Sequence, residues 1–124
     1  MLQYSKTDPS NQNLYEYSRY ALILLLDRVL ADQNWSRFCH PAVIHLQEYD
    51  REHKSEYVKT LYMYLMCGRN TANTAECLHI HRNTLTYRLK RLNELVDINW
   101  EDGYLLTQIL ISCLMIRRGR SEPF

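Results

Sequence analysis

Glycine and proline are scarce: the 124-residue chain holds three of each. So few chain breakers exclude a fold of many short strands and tight turns, and they favour long helices. No stretch alternates apolar and polar residues convincingly, and there is no internal repeat. Long apolar runs are missing too. "ALILLL", Ala21 to Leu26, is closed at once by Asp27 and Arg28, and "YLLTQILISCLMI", Tyr104 to Ile116, is too short to span a bilayer. No cleavable signal pattern opens the chain. Cys39, Cys67, Cys77 and Cys113 form no CxxC pair, which reads as free thiols in a reducing cytosol. A Gly-rich phosphate loop, GxSxG and HExxH are all absent, so neither an enzyme nor a cofactor is expected.

What is present is a folded, helical chain. Hydrophobic residues make up 46%, with ten Tyr and two Trp, and the length suits one domain with a real core. Residues 1–12 are polar and read as a loose segment. From Asn13, "NLYEYSRYALILLLDRVLADQ" reads as a helix with a wide apolar face. "NWSRF" is a connector. "HPAVIHLQEYD" starts a helix at Pro41, where the missing N–H costs nothing, and "DREHK" breaks it. Ser55 is placed to cap "EYVKTLYMYLMC", whose stripe is Val58, Leu61, Tyr62 and Leu65; Gly68 ends it. "TANTAECL" follows, inward at Ala72, Ala75 and Leu78. His79 and Ile80 make a turn, and a longer helix runs from His81 to about Val96, inward at Leu85, Leu89 and Leu92. "DINWED" is a loop with Asn99 as a candidate cap. A last helix covers about Tyr104 to Arg118, and 119–124 is a tail. The fold class is all-α, a bundle of about six helices.

A short helix, a tight turn and a longer basic helix make the helix-turn-helix plan, here at about residues 70–96. Net charge is only +1, but it is unevenly spread. Gly68 to Asn93 holds five basic residues (Arg69, Arg82, Arg88, Lys90, Arg91) and one acid (Glu76), a balance of +4; the rest carries 10 − 13 = −3. With Leu85 and Leu89 inward, the second helix shows His81, Arg82, Asn83 and Thr84 in its first turn, the part that reaches base edges. Arg82 matches guanine O6 and N7, and Asn83 matches adenine N6 and N7. His81, Arg82 and Asn83 are therefore the candidate base contacts. Asn70, Thr84, Thr86, Tyr87, Arg88, Lys90 and Arg91 are the candidate phosphate contacts.

"GRNTANTAECLHIHRNTLTYRLKRLNEL" also resembles the C-terminal DNA-binding region of the PucR/CdaR family of bacterial transcriptional regulators, those of purine catabolism and sugar diacid use. The "HxHRNTLxYRLKRxxEL" core is its specific part, and the likeness covers roughly residues 15–116. It implies a Fis-like helical DNA-binding fold, double-stranded DNA as partner, an upstream sensory domain of the same regulator, and Met1 as a cut within a longer chain. Asn70, His81, Arg82, Asn83, Thr84, Tyr87, Arg88, Lys90 and Arg91 match the family pattern. Thr86 stands where the family often has Arg, Arg69–Asn70 replaces a common Gly-Asn, and Asp97 takes the place of a customary Gly.

Blander readings stand beside these. The basic helix face can be merely solvated, and Tyr87 can pack on a neighbouring helix. "CLHIH" offers Cys77, His79 and His81 to a metal, but no second cluster completes the set, so no metal is expected. The apolar last helix is either buried under the first helix or a homodimer surface, since such a patch is a liability when exposed. The alternative function class is a helical interaction or dimerisation module without DNA binding. The expected location is the cytoplasm, with no membrane partner.

Overall fold

The computed structural model describes residues 9–120, with side-chain environments from residue 12. Six α-helices follow in order: α1 Pro9–Leu30, α2 Pro41–His53, α3 Tyr57–Met66, α4 Thr71–Leu78, α5 Arg82–Leu95 and α6 Gly103–Gly119, with a 3-10 turn at Trp35–Phe38 between α1 and α2. There is no strand among the described residues. The expected loose segment is helical from Pro9, because proline fits the first position of a helix. The remainder of that segment, residues 1–8, and residues 121–124 of the expected tail lie outside the described residues.

The chain divides into two compact units, Met1–Trp35 and Ser36–Phe124. In the first, α1 carries apolar residues on much of its circumference. Tyr17 is 70% exposed, and Leu14, Tyr15, Tyr20, Leu22, Leu24 and Leu25 are exposed as well.

In the second unit α3 is the hub, packing against α2, α4, α5 and α6. Its sequence explains this: Val58, Leu61 and Tyr62 are all buried, as their spacing predicts, and Leu65 is half-buried. Around them close Val43 and Leu46 of α2, Ala75 of α4, Leu85 and Leu92 of α5, and Ile109, Cys113, Met115 and Ile116 of α6. Ala72, expected inward, is exposed; Thr74 and Ala75 are the buried residues of α4, with Leu78 half-buried. Each fully buried leucine contributes about 1.5–3 kcal/mol.

The junction of α2 and α3 departs from the sequence reading. "DREHK" does not break α2, which runs on to His53 and stops at Lys54, in the left-handed region at φ 52°. Ser55 does not cap α3 either. The carboxylate of Asp50, still within α2, accepts the Ser55 hydroxyl at 2.6 Å and the Tyr57 and Val58 N–H groups at 2.9 Å each. An acid from the preceding helix thus serves the bare N-terminus of the next. Likewise α6 is capped by Asp102, which accepts the Leu105 N–H at 3.1 Å, while Asn99 accepts the Glu101 N–H in the turn before it.

The apolar face of α6 is largely consumed inside the second unit, where it packs on α2 and α3. Ser112 adds a polar pin: its hydroxyl accepts the His40 N–H and donates to the Gln108 carbonyl, each at 2.7 Å. Tyr104 and Ile111 are what α6 leaves exposed among its large apolar side chains. Of burial and an open dimer surface, the two readings of the sequence, most of this face follows the first, against α2 and α3.

Candidate nucleic-acid interface

α4 is built by short-range capping. The Asn70 side chain accepts the Asn73 N–H at 2.9 Å, and the buried Thr74 hydroxyl donates to the Asn70 carbonyl at 2.7 Å. His79 ends the helix in the left-handed region at φ 56°, and the Ile80 N–H reaches back to the Ala75 carbonyl at 3.0 Å. That closure makes the tight turn the residue pattern requires. His81 then caps α5, its Nδ1 accepting the Asn83 N–H at 3.0 Å. This hydrogen bond leaves Nε2 as the outward ring nitrogen.

On α5 the inward and outward residues separate sharply. Leu85 and Leu92 are fully buried. His81, Arg82, Asn83, Thr84, Thr86, Tyr87 and Lys90 are exposed, and Arg88 and Arg91 are half-buried. All the expected DNA-contacting residues of α5 thus lie on the accessible side or at its rim, and Asn70 is exposed at the start of α4.

Their side chains are not equally free. Among the described residues, Arg82, Asn83, Thr84 and Lys90 show no side-chain hydrogen bond. The Thr86 hydroxyl donates to the Arg82 carbonyl at 3.1 Å, so its first bond stays within the helix. The Asn70 carboxamide oxygen is taken by its cap, which leaves the NH2 group as the donor on offer. Arg88 donates to Thr60 of α3 at 3.4 Å, and Thr60 in turn donates to the Glu56 carbonyl at 2.8 Å. Arg91 donates to Glu94 at 3.0 Å and to the Tyr49 hydroxyl of α2 at 3.4 Å, and its guanidinium lies 5.9 Å from the Tyr49 ring centre. Those bonds to Tyr49 and Glu94 hold the Arg91 guanidinium above its ordinary range, a permanent cation. Arg88 and Arg91 therefore seat α5 on α3 and α2 while facing outward.

The structure adds residues that the sequence reading missed. Lys54, Ser55 and Tyr57, from the α2–α3 junction, line one recess with Thr84, Tyr87 and Arg88. Lys54 fell in "DREHK", read as a break between helices; its place beside α5 depends on where α2 ends, which no local signal announces. Tyr57 stands edge-on to Tyr49 at 5.8 Å. Burial, then the nearby phenols of Tyr49 and Tyr87, raise the Tyr57 hydroxyl above its usual range, so it stays a neutral donor. Tyr87 itself is 66% exposed at the rim of this recess.

Behind the turn, Arg69 sits in the left-handed region at φ 63° and donates to the Trp100 carbonyl at 2.9 Å. The Trp100 indole donates to Asn93 at 3.0 Å and meets Tyr64 edge-on at 5.5 Å. The loop after α5 is thereby bolted to the turn before α4. Among the described residues no three His, Cys, Asp or Glu side chains come together as metal ligands, and no helix is long and apolar enough to cross a membrane.

A capped short helix, a left-handed turn and a longer helix with a polar, cationic first turn define a helix-turn-helix protein. Residues 57–115 match the family model of the PucR C-terminal helix-turn-helix domain, so this part of the chain is a domain of that kind. Among curated relatives, the proline-responsive transcriptional activator PutR of Bacillus subtilis is 28% identical over 104 residues, 84% of this chain and 25% of its own length. The DNA-binding transcriptional activator AdeR of the same organism is 30% identical over 88 residues, 71% of this chain and 21% of its own. Its purine catabolism regulatory protein is 29% identical over 90 residues, 73% of this chain and 17% of its own. The chain thus spans a quarter or less of the length of these relatives. No solved structure matches it.

Proposed function

We propose that the chain is a sequence-specific DNA-binding domain of a bacterial transcriptional regulator, acting in the cytoplasm on double-stranded DNA. The observation that carries this reading is a contrast along one helix: Arg82, Asn83 and Thr84 are exposed, while Leu85, the next residue, is fully buried. A helix whose first turn projects so, seated by leucines below, suits insertion into the major groove. Arg82 and Asn83 read base edges, with the outward Nε2 of His81 beside them. Asn70, Thr84, Tyr87, Arg88, Lys90 and Arg91 hold phosphates and fix the register, with Thr86 next to them. Lys54 joins this set.

Magnitudes decide whether Arg91 is available. Its pairing with Glu94 is a half-exposed i,i+3 contact, the kind that contributes roughly 0.3–0.5 kcal/mol. A phosphate contact releases condensed counterions, a gain larger than so weak a pair, so the pair yields on binding.

The relatives' lengths and names support placing the domain in a longer, metabolite-responsive regulator with an upstream sensory domain. A homodimer fits as well, because two linked readers of half-sites about 34 Å apart bind far more tightly than one. No catalytic step or cofactor enters this reading.

The test is binding to promoter-length duplex DNA across a salt series, with wild type and Arg82→Ala. About four to five phosphate contacts per chain give a log–log slope near −4, or near −8 for a dimer. Arg82→Ala should cost roughly 1–3 kcal/mol at a preferred site and little on random DNA. Absence of binding at low salt would instead favour a helical interaction module.

A further inference from the structure

Two thiols stand together beside the turn that opens α4, and the DNA-binding reading uses neither. Cys67 closes α3 and Cys77 lies in the last turn of α4; their sulfurs are 3.9 Å apart, joined by a weak hydrogen bond. Cys77 is exposed and Cys67 half-buried. Both are free thiols. The short chain between them is folded back by consecutive left-handed residues, Gly68 at φ 62° and Arg69 at φ 63°. For the two to join, the sulfur separation of 3.9 Å must close to a bond length of about 2.05 Å.

We infer that Cys67 and Cys77 form a dithiol site that reacts with low-molecular-weight disulfides, glutathione disulfide being the model case, and closes to an intramolecular disulfide clamping α4 onto α3. The exposed Cys77 gives up its proton, and its thiolate attacks one sulfur of the disulfide. That S–S bond breaks and one thiolate leaves, taking up a proton. Cys67, deprotonated in turn, attacks the Cys77 sulfur of the mixed disulfide, and the second small thiolate departs. Two protein thiols are oxidised and one small disulfide is reduced to two thiols. The Cys67 hydrogen bond first, with burial and nearby charge behind it, holds the Cys77 thiol above its ordinary range, so closure quickens as pH rises. Cys39 and Cys113 provide the internal control. Both are buried, and burial pushes Cys113 up to about 12.

The closed loop contains Asn70 and α4 as far as Cys77, so oxidation bears on DNA affinity only if the DNA-binding reading holds. The chemistry does not depend on that reading and is tested first. The native chain is treated with glutathione disulfide at about pH 8.5, near the ordinary thiol range. It is then alkylated, digested with trypsin without reduction and analysed by mass spectrometry. The expected product links the peptides 60–69 and 70–82, with Cys39 and Cys113 alkylated, and dithiothreitol reverses the link. Cys67→Ser should stop at a stable glutathione adduct on Cys77. A persistent adduct on Cys77 in wild type, no reaction there at all, or a link between two chains would each overturn the inference. If the link forms but neither redox state binds DNA, it is the DNA-binding reading that fails.

Discussion

Asp50 shows how much one side chain can do outside the functional face. It accepts three hydrogen bonds, two of them from backbone N–H groups that α3 would otherwise leave bare. Charge-assisted capping of this kind is worth about 1.5–3 kcal/mol. Asp50→Ala is expected to lower stability by roughly 2–3 kcal/mol in urea unfolding, and Asp50→Asn by less, since the amide oxygen still accepts. Equal losses for the two would mean the charge, not the acceptor, matters. Lys54, four residues on, carries a functional expectation. If it touches phosphate, Lys54→Ala weakens binding uniformly across DNA sequences and lowers the salt slope by about 1, with folding unchanged. A sequence-dependent loss would place it at a base edge instead.

At the scale of elements, two non-glycine residues occupy left-handed positions at the ends of the motif's parts. His79 ends α4 at φ 56° and is exposed, with no side-chain partner among the described residues. An L residue there costs about 1–2 kcal/mol, against roughly 0.5–1 for the extra freedom glycine loses on folding. His79→Gly should therefore stabilise the chain by about 0.5–1 kcal/mol, read as a raised thermal midpoint. Arg69 is the counter-example. Its bond to the Trp100 carbonyl, worth about 1 kcal/mol, offsets the same strain, so Arg69→Gly should be close to neutral. The helices and the outward turn of α5 were legible in the sequence because 3.6-residue spacing is a short-range signal. What was not legible depends on where an element stops or what packs beside it. α2 absorbed "DREHK"; Asp50 and Asp102 capped where Ser55 and Asn99 were expected; Ala72 turned outward; and Lys54 and Tyr57 joined the face only because α2 and α3 bring them beside α5. For α6 the sequence left burial or a dimer surface open; that its apolar face packs on α2 and α3 is a matter of partners that periodicity cannot name.

For the whole molecule, the proposed homodimer requires a seam that holds two readers together. With α6 largely buried, the candidate seam moves to α1. Leu14, Tyr17, Ala21 and Leu24 follow one another at alternating intervals of three and four residues, the a/d spacing of a helix pair, and all four are exposed. Tyr20 and Leu25 widen the stripe, and Arg28 closes it. Apolar surface this continuous favours self-association over exposure to water. The expectation is a dimer in sedimentation equilibrium that the double variant Tyr17→Glu, Leu24→Glu converts to a monomer. The variant's second unit should stay folded, because neither position lies within it. The same change should lower the salt slope of DNA binding from about −8 to about −4, since each chain then neutralises only its own phosphates. A wild-type chain that is monomeric at micromolar concentration, with a slope already near −4, would remove α1 as the seam. Pairing would then have to come from another part of a longer regulator, while the groove-reading role of α5 would stand unchanged.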